Sequence, residues 1–240
     1  MIDETLQGED CLNMVEIVDE PRLRNRVQVF DDRFHAGELL AEKLREHGIR
    51  GESWVLAIPA GGVQVGFVVA ERLKLHMDVV VTRKLHIPWN KEAGFGAVSW
   101  DGFALLNEPL VSALGLTKGD VDRCVEAEME VIRRRLAAFR GGKPFPDLNG
   151  KTAIVVDDGL ASGFSMLVTL RTLRRSGVGE LVVATPTAPE SAISLVGPHA
   201  DRIFCLNIRS GPFFAVADAY KLWYDLDDKN VVEILKRAGF

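Results

Sequence analysis

Short apolar runs of strand length alternate with longer amphipathic segments along the chain, and this alternation limits the folds that it can adopt. The apolar runs lie at 53–58, 77–82, 151–156 and 181–185. Such an order is typical of βαβ units, in which helices cover both faces of a parallel sheet. We therefore predict an α/β protein with a doubly wound, mostly parallel sheet, formed as a single domain over residues 1–240.

Capping residues and apolar spacing locate the helices. Asp31 and Asp32 can cap a helix that runs to His47, and Asp120 begins a long helix that ends before Gly141. The other predicted elements are helices at 63–73, 162–176 and 231–237 and a strand at 203–206.

Residues 85–106 break the alternation. They include proline, tryptophan and several glycines, so we predict a long loop with short strand pieces. Long loops inside compact domains are often functional, and many of them close over binding sites. This segment is therefore the candidate for a lid, with Lys91 and Glu92 as its polar candidates.

Charge and cysteine content restrict the partners and the compartment. The formal net charge of −5 argues against a nucleic acid as the partner, because nucleic-acid binders present basic surfaces. Cys11, Cys124 and Cys205 lie far apart without a CxxC pair, which favours reduced thiols over zinc binding or disulfides. The acidic N-terminus lacks the features of a secretory signal, and no apolar run has the length of a membrane span. We therefore expect a cytoplasmic protein.

The segment Ile154–Ser165 places two carboxylates and a glycine-containing turn between a buried strand and a helix. Backbone amides at the start of that helix, with the hydroxyls of Ser162 and Ser165, can form an anion cradle. Asp157 and Asp158 suit sugar hydroxyls and, directly or through water, a hard cation such as Mg²⁺. The turn therefore predicts a sugar-phosphate site, although a capped turn in another doubly wound protein would share part of this pattern.

Two further strand ends carry groups that suit a diphosphate. The turn Ala60-Gly61-Gly62 follows the strand at 53–58, and its backbone amides can bind phosphate oxygens. Arg83 and Lys84 follow the strand at 77–82, where a cation can offset the charge of a departing diphosphate. A tight βα turn and a solvated strand end are the alternative interpretations.

The sequence VVDDGLASGFS resembles the motif by which type I phosphoribosyltransferases bind phosphoribosyl pyrophosphate (PRPP). The resemblance implies that Asp157 and Asp158 face the ribose 2′ and 3′ hydroxyls at the reaction centre and hold magnesium. It also implies that the glycine turn and the basic pair contact the pyrophosphate. The residues that it implies for binding the rest of PRPP are Gly159, Leu160, Ala161, Ser162, Gly163, Phe164 and Ser165.

Three longer segments, at 31–44, 83–98 and 220–237, are similar to a narrower group of predicted phosphoribosyltransferases of bacteria and archaea. Membership implies a flexible lid loop, here 85–106, and a small hood from the chain ends, here with 207–240. Arg33 is then either a phosphate ligand or a helix-surface charge. The aromatic residues of the tail either stack on an acceptor base or pack the tail onto the sheet; they are Phe213, Phe214, Tyr220, Trp223 and Tyr224.

The expected activity is transfer of the phosphoribosyl group from PRPP to a small-molecule acceptor, a nucleobase or related nitrogen heterocycle, with release of pyrophosphate. A non-catalytic PRPP-binding regulator and a sugar-phosphate hydrolase are the alternatives. The sequence identifies neither the acceptor nor a general base, and His86 near the lid is the one histidine worth testing. A homodimer is a further expectation, because this fold commonly forms dimers.

Overall fold

The central sheet is parallel at every strand pair and lies between two helical layers. The computed structural model describes residues 15–239, with the backbone alone at 91 and 92. The strands are β1 (Glu16–Val18), β2 (Trp54–Ala57), β3 (His76–Val79), β4 (Arg83–Ile87), β5 (Asn90–Val98), β6 (Ala104–Leu106), β7 (Thr152–Val156), β8 (Glu180–Pro189) and β9 (Arg202–Arg209). The helices are α1 (Arg33–Glu46), α2 (Gly61–Leu73), α3 (Glu108–Ala113), α4 (Lys118–Arg140), α5 (Phe164–Arg175), α6 (Glu190–Val196) and α7 (Asp228–Arg237). The sheet order β1-β9-β8-β7-β2-β3 confirms the predicted doubly wound α/β fold.

Successive residues of β7 face two separate cores. Ile154 and Val156 pack in the core that also buries apolar residues of α1, α2 and α7. Ala153 and Val155 pack in the core that buries residues of α5 and α6. Because the strand is buried on both faces, it has no polar face, and this explains the continuous apolar run that the sequence shows there.

Strand β2 lies between β3 and β7, and this position creates a crevice at one edge of the sheet. The chain leaves β2 through α2 towards β3, whereas it leaves β7 through α5 in the opposite direction towards β8. Ala57 pairs with Val156, so the carboxyl ends of β2 and β7 lie side by side. In open parallel sheets, ligands bind at such a switch point, where neighbouring connections diverge.

The predicted helix termini of α1 are confirmed. The backbone N–H of His35 donates to the Asp32 carboxylate at 2.9 Å, which caps the helix, and Gly48 follows its end with a φ of 81°. Helix α4 begins slightly earlier than predicted, because Thr117 and Asp120 form a capping box around its first turn.

Residues 85–106 differ from the predicted loop. They form most of an antiparallel sheet in the order β4-β5-β6, which follows β3 in the chain. A Cβ at Gly94 would clash with the Lys84 side chain, and one at Gly96 would clash with the Leu105 carbonyl oxygen. These glycines allow close approach of neighbouring strands, while the same residues in a sequence are typical of loops. Elements β1 and α3 are too short for periodicity to predict.

The described cysteines and helices can be compared with the predictions about thiols and membrane spans. Cys124 and Cys205 are free thiols, and complete burial raises the pKa of Cys205 far above its usual range. Cys11 lies outside the described residues. Within residues 15–239, no helix has the length and apolar character needed to cross a membrane.

Gly37 sets the distance between α1 and α2. A Cβ at Gly37 would lie 2.8 Å from the Val68 Cβ and 3.1 Å from the Val65 carbonyl oxygen. We predict that Gly37→Ala lowers the free energy of unfolding by about 1–3 kcal/mol, because the helices must separate. Urea denaturation measures the change.

The matched control is Gly119→Ala in α4, where the nearest atom to the new Cβ is 3.6 Å away. That substitution should raise the free energy of unfolding by up to about 1 kcal/mol, because alanine favours a helix more than glycine does. Equal stability of Gly37→Ala and the wild type would contradict the proposed close packing.

Candidate functional site

The two predicted aspartates lie directly after β7, at the switch point. The backbone N–H of Asp158 donates to Asp157 Oδ1 at 2.9 Å, and the charge of the Asp158 carboxylate acts on the Asp157 carboxyl. Burial raises the pKa of the Asp157 carboxyl well above its usual range, and the neighbouring charge of Asp158 raises it further. Two crowded carboxylates with this repulsion attract a cation or hydroxyl donors.

The glycine turn after β2 packs directly against this carboxylate pair. A Cβ at Gly61 would clash with the Asp158 carboxylate, and one at Gly62 would lie 2.7 Å from the Val156 carbonyl oxygen and 2.9 Å from the Asp157 Cα. Both positions therefore require glycine. The structure thus brings together the first two predicted parts of the site, which are about 95 residues apart in sequence.

Two helices begin at this edge of the sheet: α2 after β2, and α5 after β7. Helix α2 begins at Gly61 after Ala60, and α5 begins after Gly163, whose φ is 81°. Neither helix has a side-chain cap, so the first backbone amides of each are available to an anion. Ser162, just before α5, is exposed, and Ser165, in its first turn, is half-buried.

The turn between β7 and α5 is fixed by its own packing. The Leu160 N–H donates to the Thr187 carbonyl at 3.0 Å, and the Leu160 side chain lies in the core. A Cβ at Gly159 would clash with the Val216 side chain. Leu160 and Gly159 therefore shape the turn, and the Leu160 amide is not available to a phosphate. Ala161 is exposed and Phe164 is half-buried beside it.

The predicted basic pair after β3 has partners of its own. Arg83 Nε donates to Glu128 Oε2 at 2.8 Å, and His86 Nδ1 lies 3.2 Å from Glu128 Oε1. The exposed Lys84 lies along β5. In residues 15–239, none of these basic side chains forms an ion pair with Asp157 or Asp158. The side chains of Lys91 and Glu92 lie outside the described residues.

Arg33 is the residue whose importance the sequence did not reveal. It is 3% exposed, so the interpretation as a helix-surface charge is wrong. Its Nε donates to Asp158 Oδ2 at 2.7 Å. The signal in the sequence is indirect, since only the resemblance of segment 31–44 to the narrower phosphoribosyltransferase group drew attention to the start of α1.

Three aromatic residues of the tail surround Arg33 and reach the acid pair. The Arg33 guanidinium lies 3.9 Å from the centre of the Trp223 ring, and the Tyr220 hydroxyl donates to the Asp158 carbonyl at 2.5 Å. Burial raises the pKa of Tyr220 well above its usual range, so the hydroxyl stays protonated and remains a donor. Tyr220 and Trp223 therefore pack the tail onto the site, whereas Phe213 is 86% exposed.

The donor set suits a magnesium ion that is shared with a phosphorylated ligand. No group of three or more potential metal-ligating side chains occurs among the described residues. Mg²⁺ is commonly held by one or two carboxylates together with substrate phosphates and water. Asp157 and Asp158 provide such carboxylates, and their mutual repulsion favours a cation between them and an anionic ligand.

Fold and site together define a class of protein. A parallel α/β sheet with two open helix N-termini and a carboxylate pair at its switch point suits phosphorylated sugars and nucleotides. Residues 30–221 match the family model described as a phosphoribosyl transferase domain. The chain belongs to this family, and the predicted resemblance is confirmed.

Known relatives support this assignment over most of the chain. Two curated Mycobacterium tuberculosis proteins, provisionally named as phosphoribosyl transferases, are each 35% identical over 213 residues, or 88% of this chain. The match covers 47% of each mycobacterial protein, so this chain spans about half the length of those relatives. The crystal structure of TT1426 from Thermus thermophilus has 33% sequence identity and a TM-score of 0.72, over 87% of this chain and 98% of its own.

The two aspartates should have opposite effects on the stability of the magnesium-free protein. The raised pKa of Asp157 means that the folded state holds its proton more tightly than the unfolded state does. Stability is therefore lost as the pH rises from the ordinary value of 3.8 through the raised value. Asp157→Asn removes this loss, so at pH 7.5 we predict a gain in the free energy of unfolding.

Asp158→Asn provides the contrast, because it leaves the buried Arg33 without its charged partner. We predict a loss of about 3 kcal/mol for this variant. Urea denaturation in the presence of EDTA measures both changes. If the free energy of unfolding rises in both variants or falls in both, the prediction that the two carboxylates have opposite effects is wrong.

Proposed function

We propose that this protein transfers the phosphoribosyl group from PRPP to a small acceptor, a nucleobase or related nitrogen heterocycle, and releases pyrophosphate. The observation that carries the proposal is the position of the acid pair between two open helix N-termini. PRPP has a phosphate at one end, a diphosphate at the other and sugar hydroxyls between them. In the same order, the site offers the amides at the start of α5, the carboxylates of Asp157 and Asp158, and the amides at the start of α2.

Each part of PRPP then has a partner in the chain. The amides at the start of α5, with Ser162 and Ser165, hold the 5′-phosphate. Asp157 and Asp158 accept hydrogen bonds from the ribose hydroxyls and share the magnesium ion with the ligand. The Ala60-Gly61-Gly62 turn donates amides to the diphosphate, since α2 begins there without a side-chain cap.

The chain acts mainly by placing the reactants. Bound magnesium would neutralise part of the charge on the diphosphate that leaves. The ribose, held at its hydroxyls and its phosphate, keeps C1 in a fixed position relative to the acceptor nitrogen. As the bond to the diphosphate breaks, positive charge develops on the sugar ring. The amides at the start of α2 meanwhile stabilise the oxygens of the leaving group.

The proposed lid is residues 85–106, which include most of the β4–β5 hairpin, and the proposed hood is the tail at 207–240. Closure of the hairpin over the reaction centre would exclude water, which otherwise competes with the acceptor. On the same proposal Arg83 and Lys84 approach the diphosphate, and for Arg83 this requires exchange of its bond with Glu128. The proposed setting is the cytoplasm, and the proposed assembly is a homodimer.

The test is release of pyrophosphate from PRPP and magnesium in the presence of single nucleobases. We expect release that depends on one acceptor and that falls at least about 1000-fold in the Asp157→Asn/Asp158→Asn variant, because both ribose contacts are lost. Arg140→Met is the control for general damage, since it breaks the buried Asp78–Arg140 pair at 2.8 Å, which lies outside the site.

Three other outcomes are informative. Release without any acceptor would identify a hydrolase. Binding of PRPP by calorimetry, without release under any condition, would identify a PRPP-binding regulator. Absence of both binding and release in the wild type would refute the proposed function.

A further inference from the structure

We infer that Arg33 is a positioning residue for sugar recognition: it holds the Asp158 carboxylate in place for a ribose hydroxyl and makes segment 220–224 a part of the sugar site. The inference rests on the proposed function, and it assigns a role to residues outside the resemblance to the PRPP motif. Its basis is a chain of contacts that begins at α1, passes through the tail and ends at Asp158.

The first contact is a buried ion pair at the site itself. Arg33 is 3% exposed and Asp158 is 13% exposed, and their Nε–Oδ2 distance is 2.7 Å. A buried guanidinium is costly unless its charge and its N–H groups are all matched. Among the described residues, Arg33 forms its ion pair with Asp158 and none with Asp157, so it acts directly on one of the two site carboxylates.

The rest of the guanidinium is held by the tail. Arg33 Nη1 donates to the Tyr224 carbonyl at 2.8 Å, and the Trp223 ring lies 3.9 Å from the guanidinium carbon. Stacking on tryptophan is favourable for a desolvated guanidinium. The planar group is thus fixed by a hydrogen bond in its plane and a ring on its face, which leaves it little freedom to turn away from Asp158.

The tail is in turn attached to the site and to α2. The Tyr220 hydroxyl donates to the Asp158 carbonyl, and Gln64 Nε2 donates to the Tyr224 hydroxyl at 2.9 Å. The backbone N–H groups of Lys221 and Leu222 donate to the carbonyls of Phe30 and Asp31, each at 2.8 Å, just before α1. Arg33, the tail and Asp158 therefore form one closed set of contacts.

This arrangement gives the two carboxylates different roles. Arg33 occupies Oδ2 of Asp158 and the carboxylate packs against Gly61, so its second oxygen has a fixed direction. In the described part of the chain, the Asp157 carboxylate forms no ion pair. Asp158 is therefore oriented to recognise a hydroxyl at one position, while Asp157, whose Oδ1 accepts the Asp158 backbone N–H, is not held by a charged partner among the described residues.

The test compares ribose 5-phosphate with its 2-deoxy and 3-deoxy analogues by calorimetry. A site that is built around a hydroxyl discriminates against a ligand that lacks it. We expect the wild type to bind ribose 5-phosphate at least about tenfold more tightly than one of the analogues. The ratio of the dissociation constant of that analogue to the dissociation constant of ribose 5-phosphate is the quantity compared between variants. In Arg33→Met this ratio should fall below about 3, and Arg33→Lys should restore part of the discrimination.

Arg140→Met is the matched control, because Arg140 and Asp78 form a buried ion pair at 2.8 Å whose other hydrogen-bond partners are Val79, Lys143 and Pro144, outside segment 220–224. It should lose stability and keep the wild-type ratio. If Arg33→Met does not fold, Trp223→Leu replaces it, since this change removes the stacked ring and keeps the ion pair. A reduced ratio in Trp223→Leu supports the inference.

An unchanged ratio in the Arg33 variant, or in Trp223→Leu when that variant takes its place, overturns the inference and leaves the proposed function intact. An equal loss of the ratio in Arg140→Met also overturns it, because the effect would then follow from general destabilisation. Failure of the wild type to bind any of the three sugar phosphates would overturn the inference alone, because the proposed function is decided by binding and turnover of PRPP itself, whose diphosphate these ligands lack.

Discussion

The parallel pairing of β2 with β7 is the interaction on which the rest of the site depends. It places Ala57 beside Val156, so the turn after one strand and the acids after the other emerge at the same point. Gly61 and Gly62 then pack against Asp158 and Asp157 at distances that no side chain would permit. Because the helices of both strands begin there, two sets of free amides flank one pair of carboxylates.

The same geometry accounts for the electrostatics of the site. The two carboxylates at this edge of the sheet repel each other, and among the described residues the one ion pair that they form is that of Asp158 with the buried Arg33. Asp157 remains crowded and partly desolvated, which is why its pKa is raised. A site in this state gains from a ligand that brings its own cation and hydroxyl donors, as a magnesium complex of a phosphorylated sugar does.

Sequence patterns predicted the sheet and helices well where each element is long and buried. The run at 151–156, the helix after Asp32 and the turn Gly159–Ser165 all have local signals, namely continuous apolar residues, a cap and a glycine turn. The antiparallel sheet at 85–106 had no such signal, because Gly94 and Gly96 serve close strand contact and resemble loop residues. The lid, hood and dimer proposals rest on the family alone.

The α/β class and the local chemistry of VVDDGLASGFS follow from the sequence alone, since strand, acids, glycine turn and helix start are consecutive residues that fold together. Three contacts appear only in the folded chain: Arg33 pairs with Asp158, Tyr220 and Trp223 pack against that pair, and Arg83 pairs with Glu128. Those contacts join residues far apart in the chain. No local pattern specifies them, because they exist only after the sheet has brought its strand ends together.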